Sequence, residues 1–295
     1  RFYPNKQLAS HVIGYAGIDN QGLHGLESSY DEEMKGRPGR VQIQVDARGR
    51  TFSRVERPPT TGMSLGLTID KYLQHIAERE LRATVLEYKA AGGSVVVMDP
   101  HTGDILALAN EPTFNPNAFS LWQSDVRRNR ATQDVYEPGS TFKIFPILTG
   151  IENEIISLTD KYYCENGIYS LTSKNKLHDH EPHDTLSLKD IFIHSSNIGI
   201  SKTVDNLDNI EIYKLCKNFG FGTKTGLPFK NESTGKLRDL KNWSRTSKTY
   251  ISIGQEIGVT NIQLALAYCA IANGGFLLRP NIIKKISDDS KNIYE

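Results

Sequence analysis

The stretch from Asp70 to Asn110 constrains the fold more tightly than any other part of the chain. Asp70 is placed to cap a helix on which Leu73, Ile76, Ala77, Leu81, Val85 and Tyr88 fall on one stripe. Residues 94–99 and 104–110 then form two apolar runs separated only by Pro100-His101-Thr102-Gly103. Strands joined by so short a turn pair antiparallel, because a parallel pair needs a long crossover. The expectation is a central hairpin whose face is covered by the preceding helix, hence an α+β fold.

At 295 residues with 38% apolar content, the chain is long enough for one large domain with a sizeable core plus a small one. Its 35 basic residues nearly cancel its 34 acidic ones, so nothing in the charge favours nucleic acid or another polyanion as a partner. Cys164, Cys216 and Cys269 are too few and too scattered for a disulfide framework or a zinc pattern, and are read as isolated or semi-buried thiols. No apolar run is as long as a membrane span, and no signal peptide is visible. The first residue is Arg1, from which a preceding N-terminal segment is expected.

Residues 1–60 are rich in Gly, Arg and short polar stretches and read as turns joining short strands, with Val41-Gln42-Ile43-Gln44-Val45 alternating in strand fashion. The stiff joint Arg57-Pro58-Pro59-Thr60-Thr61-Gly62 places a boundary near residue 60, giving a small N-terminal module (1–60) and a main domain (61–295). Further on, Ser187 with Asp190 and Thr260 with Gln263 resemble capping boxes, the second before a helix over 264–272 that Gly274-Gly275 ends. Phe276-Leu277-Leu278 and Ile282-Ile283 suggest returning strand material.

Chemistry concentrates in Tyr136-Glu137-Pro138-Gly139-Ser140-Thr141-Phe142-Lys143. Pro138-Gly139 releases the chain into a helix, so Ser140 stands near a helix N-terminus where free N–H groups gather. Lys143, three residues on, shares its face and can accept the hydroxyl proton if burial or neighbouring cations lower its pKa. S-x-x-K alone is common on solvated helices; His194-Ser195-Ser196-Asn197 supplies a second element. Ser195 and Asn197, in a turn between two helices, offer a hydroxyl for proton relay and a carboxamide for a substrate amide, or else simply cap helix ends.

On these motifs the chain resembles the penicillin-binding proteins, specifically the class B, monofunctional transpeptidases. Residues 22–27 and 35–39, Leu67-Thr68-Ile69-Asp70, residues 99–108, Phe219-Gly220-Phe221-Gly222, Ser252-Ile253-Gly254-Gln255 and Val259-Thr260 extend the resemblance in the family's order. Residues 130–139 look more like the division-type than the elongation-type members. The resemblance implies a β-rich N-terminal pedestal, or dimerisation-like module, beneath a penicillin-binding transpeptidase domain that joins a helix-flanked antiparallel sheet to an all-helical part. It implies Ser140 as nucleophile, Lys143 as base, Ser195 as relay and Asn197 as holder of the substrate amide. The substrate would be a peptidoglycan stem peptide ending in D-Ala-D-Ala, with β-lactams acylating the same serine and no cofactor. It also implies a bacterial membrane anchor, an extracytoplasmic (periplasmic) catalytic domain, and glycosyltransferase and division or elongation partners. The rival readings are a β-lactamase or β-lactam sensor, and a non-catalytic scaffold of a cell wall synthesis complex.

Two clusters invite over-reading. Lys224-Thr225-Gly226 has the composition of the family's third motif, but it follows Asn197 too soon, it comes after a turn-forming segment, and Pro228 spoils a ladder strand. The genuine element is expected beyond Glu295, in which case the chain is C-terminally truncated and lacks a carboxylate-binding cation and an oxyanion donor, so that this fragment is expected to be impaired or inactive. His178-Asp179-His180-Glu181-Pro182-His183-Asp184 is rich in imidazoles and carboxylates, yet shows no structural-zinc spacing; it is read as an exposed connector holding no metal. Trp122 and Trp243 are read as ordinary core or surface aromatics.

Overall fold

The computed structural model describes residues 1–49, 51–288 and 292–294, which form two compact units. One comprises residues 1–133, 226–232 and 278–295; the other comprises 134–225 and 233–277. Helices and short antiparallel strands occur in both, the α+β class expected. No helix among the described residues is long and apolar enough to cross a membrane.

In the first unit, Asp70 caps the helix Lys71–Glu87 by accepting from the amides of Tyr72 (2.8 Å) and Leu73 (2.9 Å). The strands Gly93–Met98 and Ile105–Glu111 pair antiparallel, and Ala77 and Leu81 of the helix pack with Val85 on Ala107 and Ala109. The stripe itself differs from expectation: Leu73, Ile76 and Tyr88 are exposed, while Gln74 is fully buried. The Gln74 carboxamide both donates to the Leu108 carbonyl (2.9 Å) and accepts from the Leu108 amide (2.8 Å). An inward amide thereby satisfies a buried backbone pair that an aliphatic side chain would leave unbonded. Ile283–Ser287 pairs with Ser64–Leu67, as the returning strand requires. Phe276-Leu277-Leu278, by contrast, forms no strand: it follows Gly274 and Gly275, both at positive φ, and Phe276 and Leu277 are exposed.

Residues 1–60 hold the helices Ser10–Ile13, Gly25–Ser29 and Asp31–Met34 besides their strands, so they are less purely β than expected. Arg40–Val45 pairs antiparallel with Thr51–Arg57, and all six residues of Arg40–Val45 are exposed.

The second unit is built on two apolar clusters. One gathers Phe142, Phe145, Phe221, Val204, Ile212, Leu215 and Ile251; the other gathers Cys164, Leu186, Leu188, Ile191, Ile198, Ile200 and Ile253. The helix Asn261–Ala272 opens on a complete capping box between Thr260 and Gln263. Ser187 caps the helix Leu188–Ile193 by accepting from the Asp190 amide. Cys164, Cys216 and Cys269 are all buried and none forms a disulfide.

Candidate active site

Gly139–Phe142 is one 3₁₀ turn that runs into the helix Ile144–Glu152, so Ser140 enters a helical segment as its sequence requires. This turn is clamped through its backbone. The Gly139 amide donates to the Gly254 carbonyl (2.9 Å), the Glu256 amide donates to the Glu137 carboxylate (2.9 Å), and Tyr136 bridges Val259. The Tyr268 hydroxyl donates to the Thr141 carbonyl (2.7 Å). Gly254 sits at φ 78°, and a Cβ there would lie 2.0 Å from the Gly139 carbonyl oxygen; the approach requires glycine.

Phe142 and Phe145 flank Lys143 in sequence, and both are fully buried against Phe221. They pull Lys143 inward with them, to 1% exposure, while Ser140 stays at the surface. The Lys143 ammonium donates to the Ser195 carbonyl (2.5 Å) and to the Ser195 hydroxyl (3.0 Å). Burial draws its pKa down from 10.5 to about 8, against the opposing influence of the Asp179 carboxylate.

Ser195 lies between the helices Leu188–Ile193 and Asn197–Thr203 at φ 54°, a left-handed conformation that costs a non-glycine residue about 1–2 kcal/mol. Strain of that kind persists where the surroundings over-determine it, and here they do. The Ser196 amide donates to Ile191 on the preceding helix (3.0 Å), and the Ser196 hydroxyl caps Gly199 of the next (2.8 Å).

The connector enters at this point. Asp179 accepts from the Ser196 hydroxyl (2.5 Å) and the Ile198 amide (3.0 Å), and the Asn197 carboxamide donates to the His178 carbonyl (2.9 Å). A residue in a loop thus caps a helix remote in sequence. No local signal marked Asp179 for this role; the sequence showed only a charged connector.

The structure therefore brings Lys143 and Ser195 into direct contact and sets Asn197 not in the turn but two residues on, as the first residue of the next helix. Ser140 lies one turn before Lys143, and among the described residues its hydroxyl has no hydrogen-bond partner. Catalytic hydrogen bonds are commonly long before substrate binds. Lys224-Thr225-Gly226 lies in an irregular segment, not on a strand, and the preceding Thr223 is held by its carbonyl to the Gln263 carboxamide (2.7 Å).

Comparison with known proteins bears on the family of the chain. Residues 93–294 match the penicillin binding protein transpeptidase domain, and residues 1–67 match the penicillin-binding protein dimerisation domain. Stage V sporulation protein D of Bacillus subtilis is 35% identical over 98% of the chain and 45% of its own length. Peptidoglycan D,D-transpeptidase FtsI of Escherichia coli K12 is 32% identical over 97% of the chain and 48% of its own. The chain thus spans about half the length of these relatives. Penicillin binding protein 3 of Mycobacterium tuberculosis, solved in complex with ampicillin, superposes with a TM-score of 0.88 at 29% identity, over 100% of this chain and 63% of that one. With residues 93–294, more than half of the chain, matching the transpeptidase domain, and with S-x-x-K and S-x-N both present in the sequence, the chain belongs to the penicillin-binding protein transpeptidase family.

Proposed function

We propose that this chain carries the acyl-transfer centre of a class B D,D-transpeptidase that crosslinks peptidoglycan stem peptides, in cell division rather than elongation. The observation that carries the reading is the buried Lys143 amine, drawn down to a pKa of about 8 and in contact with the Ser195 hydroxyl. About a tenth of such a group is neutral at pH 7, far more than of an ordinary lysine.

Neutral Lys143 takes the proton of the Ser140 hydroxyl as its oxygen attacks the carbonyl of the penultimate D-alanine. The tetrahedral intermediate collapses with cleavage of the terminal amide, and the proton passes by way of Ser195 to the departing D-alanine amine. The acyl-serine ester is then attacked by an amine of a neighbouring stem, which forms the crosslink and frees Ser140. Asn197 holds the substrate amide, and no cofactor takes part. β-Lactams acylate Ser140 by the first half of this sequence, with the ring amide as the bond broken.

Residues 1–60 act as a pedestal for the domain that follows. The whole protein works at the outer face of a bacterial cell membrane beside a glycosyltransferase and other division proteins. The match of residues 1–67 to the penicillin-binding protein dimerisation domain supports the first statement, and similarity to a peptidoglycan D,D-transpeptidase supports a setting in cell wall synthesis. Fluorescent penicillin, applied to the whole protein, tests the reading: the whole protein should retain label through denaturing gels, and its Ser140→Ala variant should retain none. Label on the Ser140→Ala variant would overturn the nucleophile, rapid loss of label from the parent would favour a β-lactamase, and no label at all would favour a scaffold.

A further inference from the structure

The connector that anchors the Ser195 turn carries a second constellation. Glu181 and His183 come from the connector and His194 from the end of the helix Leu188–Ile193, yet their ligand atoms all lie within 4.8 Å of one another. The two imidazole rings stand 4.5 Å apart at 45°. We propose that Glu181, His183 and His194 form a transition-metal site, with zinc as the best-matched ion, that clips the connector to the turn bearing Ser195.

Two imidazoles and a carboxylate are a ligand set that zinc accepts, and bonds of about 2.0–2.2 Å leave a fourth, open position. Tetrahedral ligands on such bonds are separated by about 3.3 Å, so closure from the present spacing needs only side-chain rotation. Glu181 and His194 are exposed and free to make it. The backbone beneath is already fixed on both sides. The Asp179 amide donates to Gly167 (3.1 Å), its carboxylate holds Ser196 and Ile198, and the Asp184 carbonyl accepts from Cys164 (2.5 Å). Glu181 and His183 therefore sit in a short span pinned at each end, which lowers the entropy lost when a metal draws them together. Spacing along the chain hid the site, because the third ligand arrives from another element on the far side of a strand and a helix. The nitrogen-rich set selects against magnesium, which demands oxygen ligands in octahedral array.

The metal site stands independently of the transpeptidase reading; only its bearing on acylation, through His194 beside Ser195, rests on that reading. The test is therefore a binding measurement that ignores acylation. Untagged protein, stripped with chelator, is titrated calorimetrically with zinc and separately with magnesium. One zinc per chain is expected, with no binding of magnesium, and His183→Gln/His194→Gln should weaken zinc at least about tenfold while leaving the metal-free thermal midpoint unchanged. Zinc should raise the midpoint of the parent but not that of the double variant. Glu181→Gln, at an exposed position, should weaken zinc as well and serves if the double variant does not fold. Absence of zinc binding, or equal affinity in parent and variants, overturns the site.

Discussion

The two arms of the proposed active site are held in different ways. The arm carrying Ser140 and Lys143 is fixed by apolar packing and backbone clamps: Phe142 and Phe145 lock into an aromatic cluster with Phe221, and Gly254 seats against Gly139. The arm carrying Ser195 and Asn197 rests on its own apolar cluster below, but its conformation is set by hydrogen bonds to the connector through Asp179 and the His178 carbonyl. Apolar burial fixes the Lys143 amine in place and lowers its pKa in one act. A hydrogen-bonded turn, in contrast, presents polar groups outward while each remaining donor and acceptor is satisfied. The difference teaches that the first arm should fail by loss of chemistry or of fold, and the second by graded loss of alignment.

The sharpest way to break this contrast is Lys143→Arg. Guanidinium remains protonated at accessible pH, so the proposed base is abolished while a cation is kept. Acylation by fluorescent penicillin should fall by about 10²- to 10⁴-fold, the usual worth of a general base. A variant that keeps its thermal midpoint and still acylates at the parent rate would remove Lys143 from the mechanism. Next comes Gly254→Ala, which adds a Cβ at 2.0 Å from the Gly139 carbonyl oxygen at a residue with φ 78°. Left-handed strain and overpacking together cost about 2–5 kcal/mol. Chemical denaturation should register that loss, and an unchanged midpoint would mean the clamp is not rigid.

Much of this arrangement was legible beforehand, for reasons that are local. Asp70, Ser187 and Thr260 announce helix starts through side chains that bond amides two or three residues away. Pro100 to Gly103 joins two apolar runs by so short a turn that they pair antiparallel with each other. The serine and lysine share a motif short enough for one helical turn to present both. The missed features depend on partners distant in the chain. Gln74 takes an inward position because Leu108 offers it an unpaired amide and carbonyl, a fact with no counterpart near residue 74. The alternation of residues 41–45 did specify a strand, yet Val41, Ile43 and Val45 are each more than half exposed, so period alone did not specify burial. Asp179 was invisible for the same reason as Gln74: its partners Ser196 and Ile198 lie beyond a strand and a helix.

Asp179→Asn is the variant that sharpens the contrast most finely, because it disturbs the second arm while reporting on the first. The amide oxygen can still accept from the Ile198 N–H, so loss of the charge-assisted bond from Ser196 should lower stability by only about 1–2 kcal/mol. The Asp179 carboxylate favours the charged form of Lys143, which burial otherwise disfavours. In the parent, acylation should therefore rise with pH and level off above an inflection near 8, as the ammonium gives up its proton. Removing the carboxylate lowers the lysine pKa further, so the inflection in Asp179→Asn should move to lower pH, whereas the plateau should fall severalfold as Ser195 loses alignment. Both profiles are to be recorded with chelator present, so that metal at the neighbouring residues plays no part. A purely structural role for Asp179 predicts a lower plateau with the inflection unmoved. That outcome would uncouple the two arms and leave the low pKa of Lys143 to burial alone.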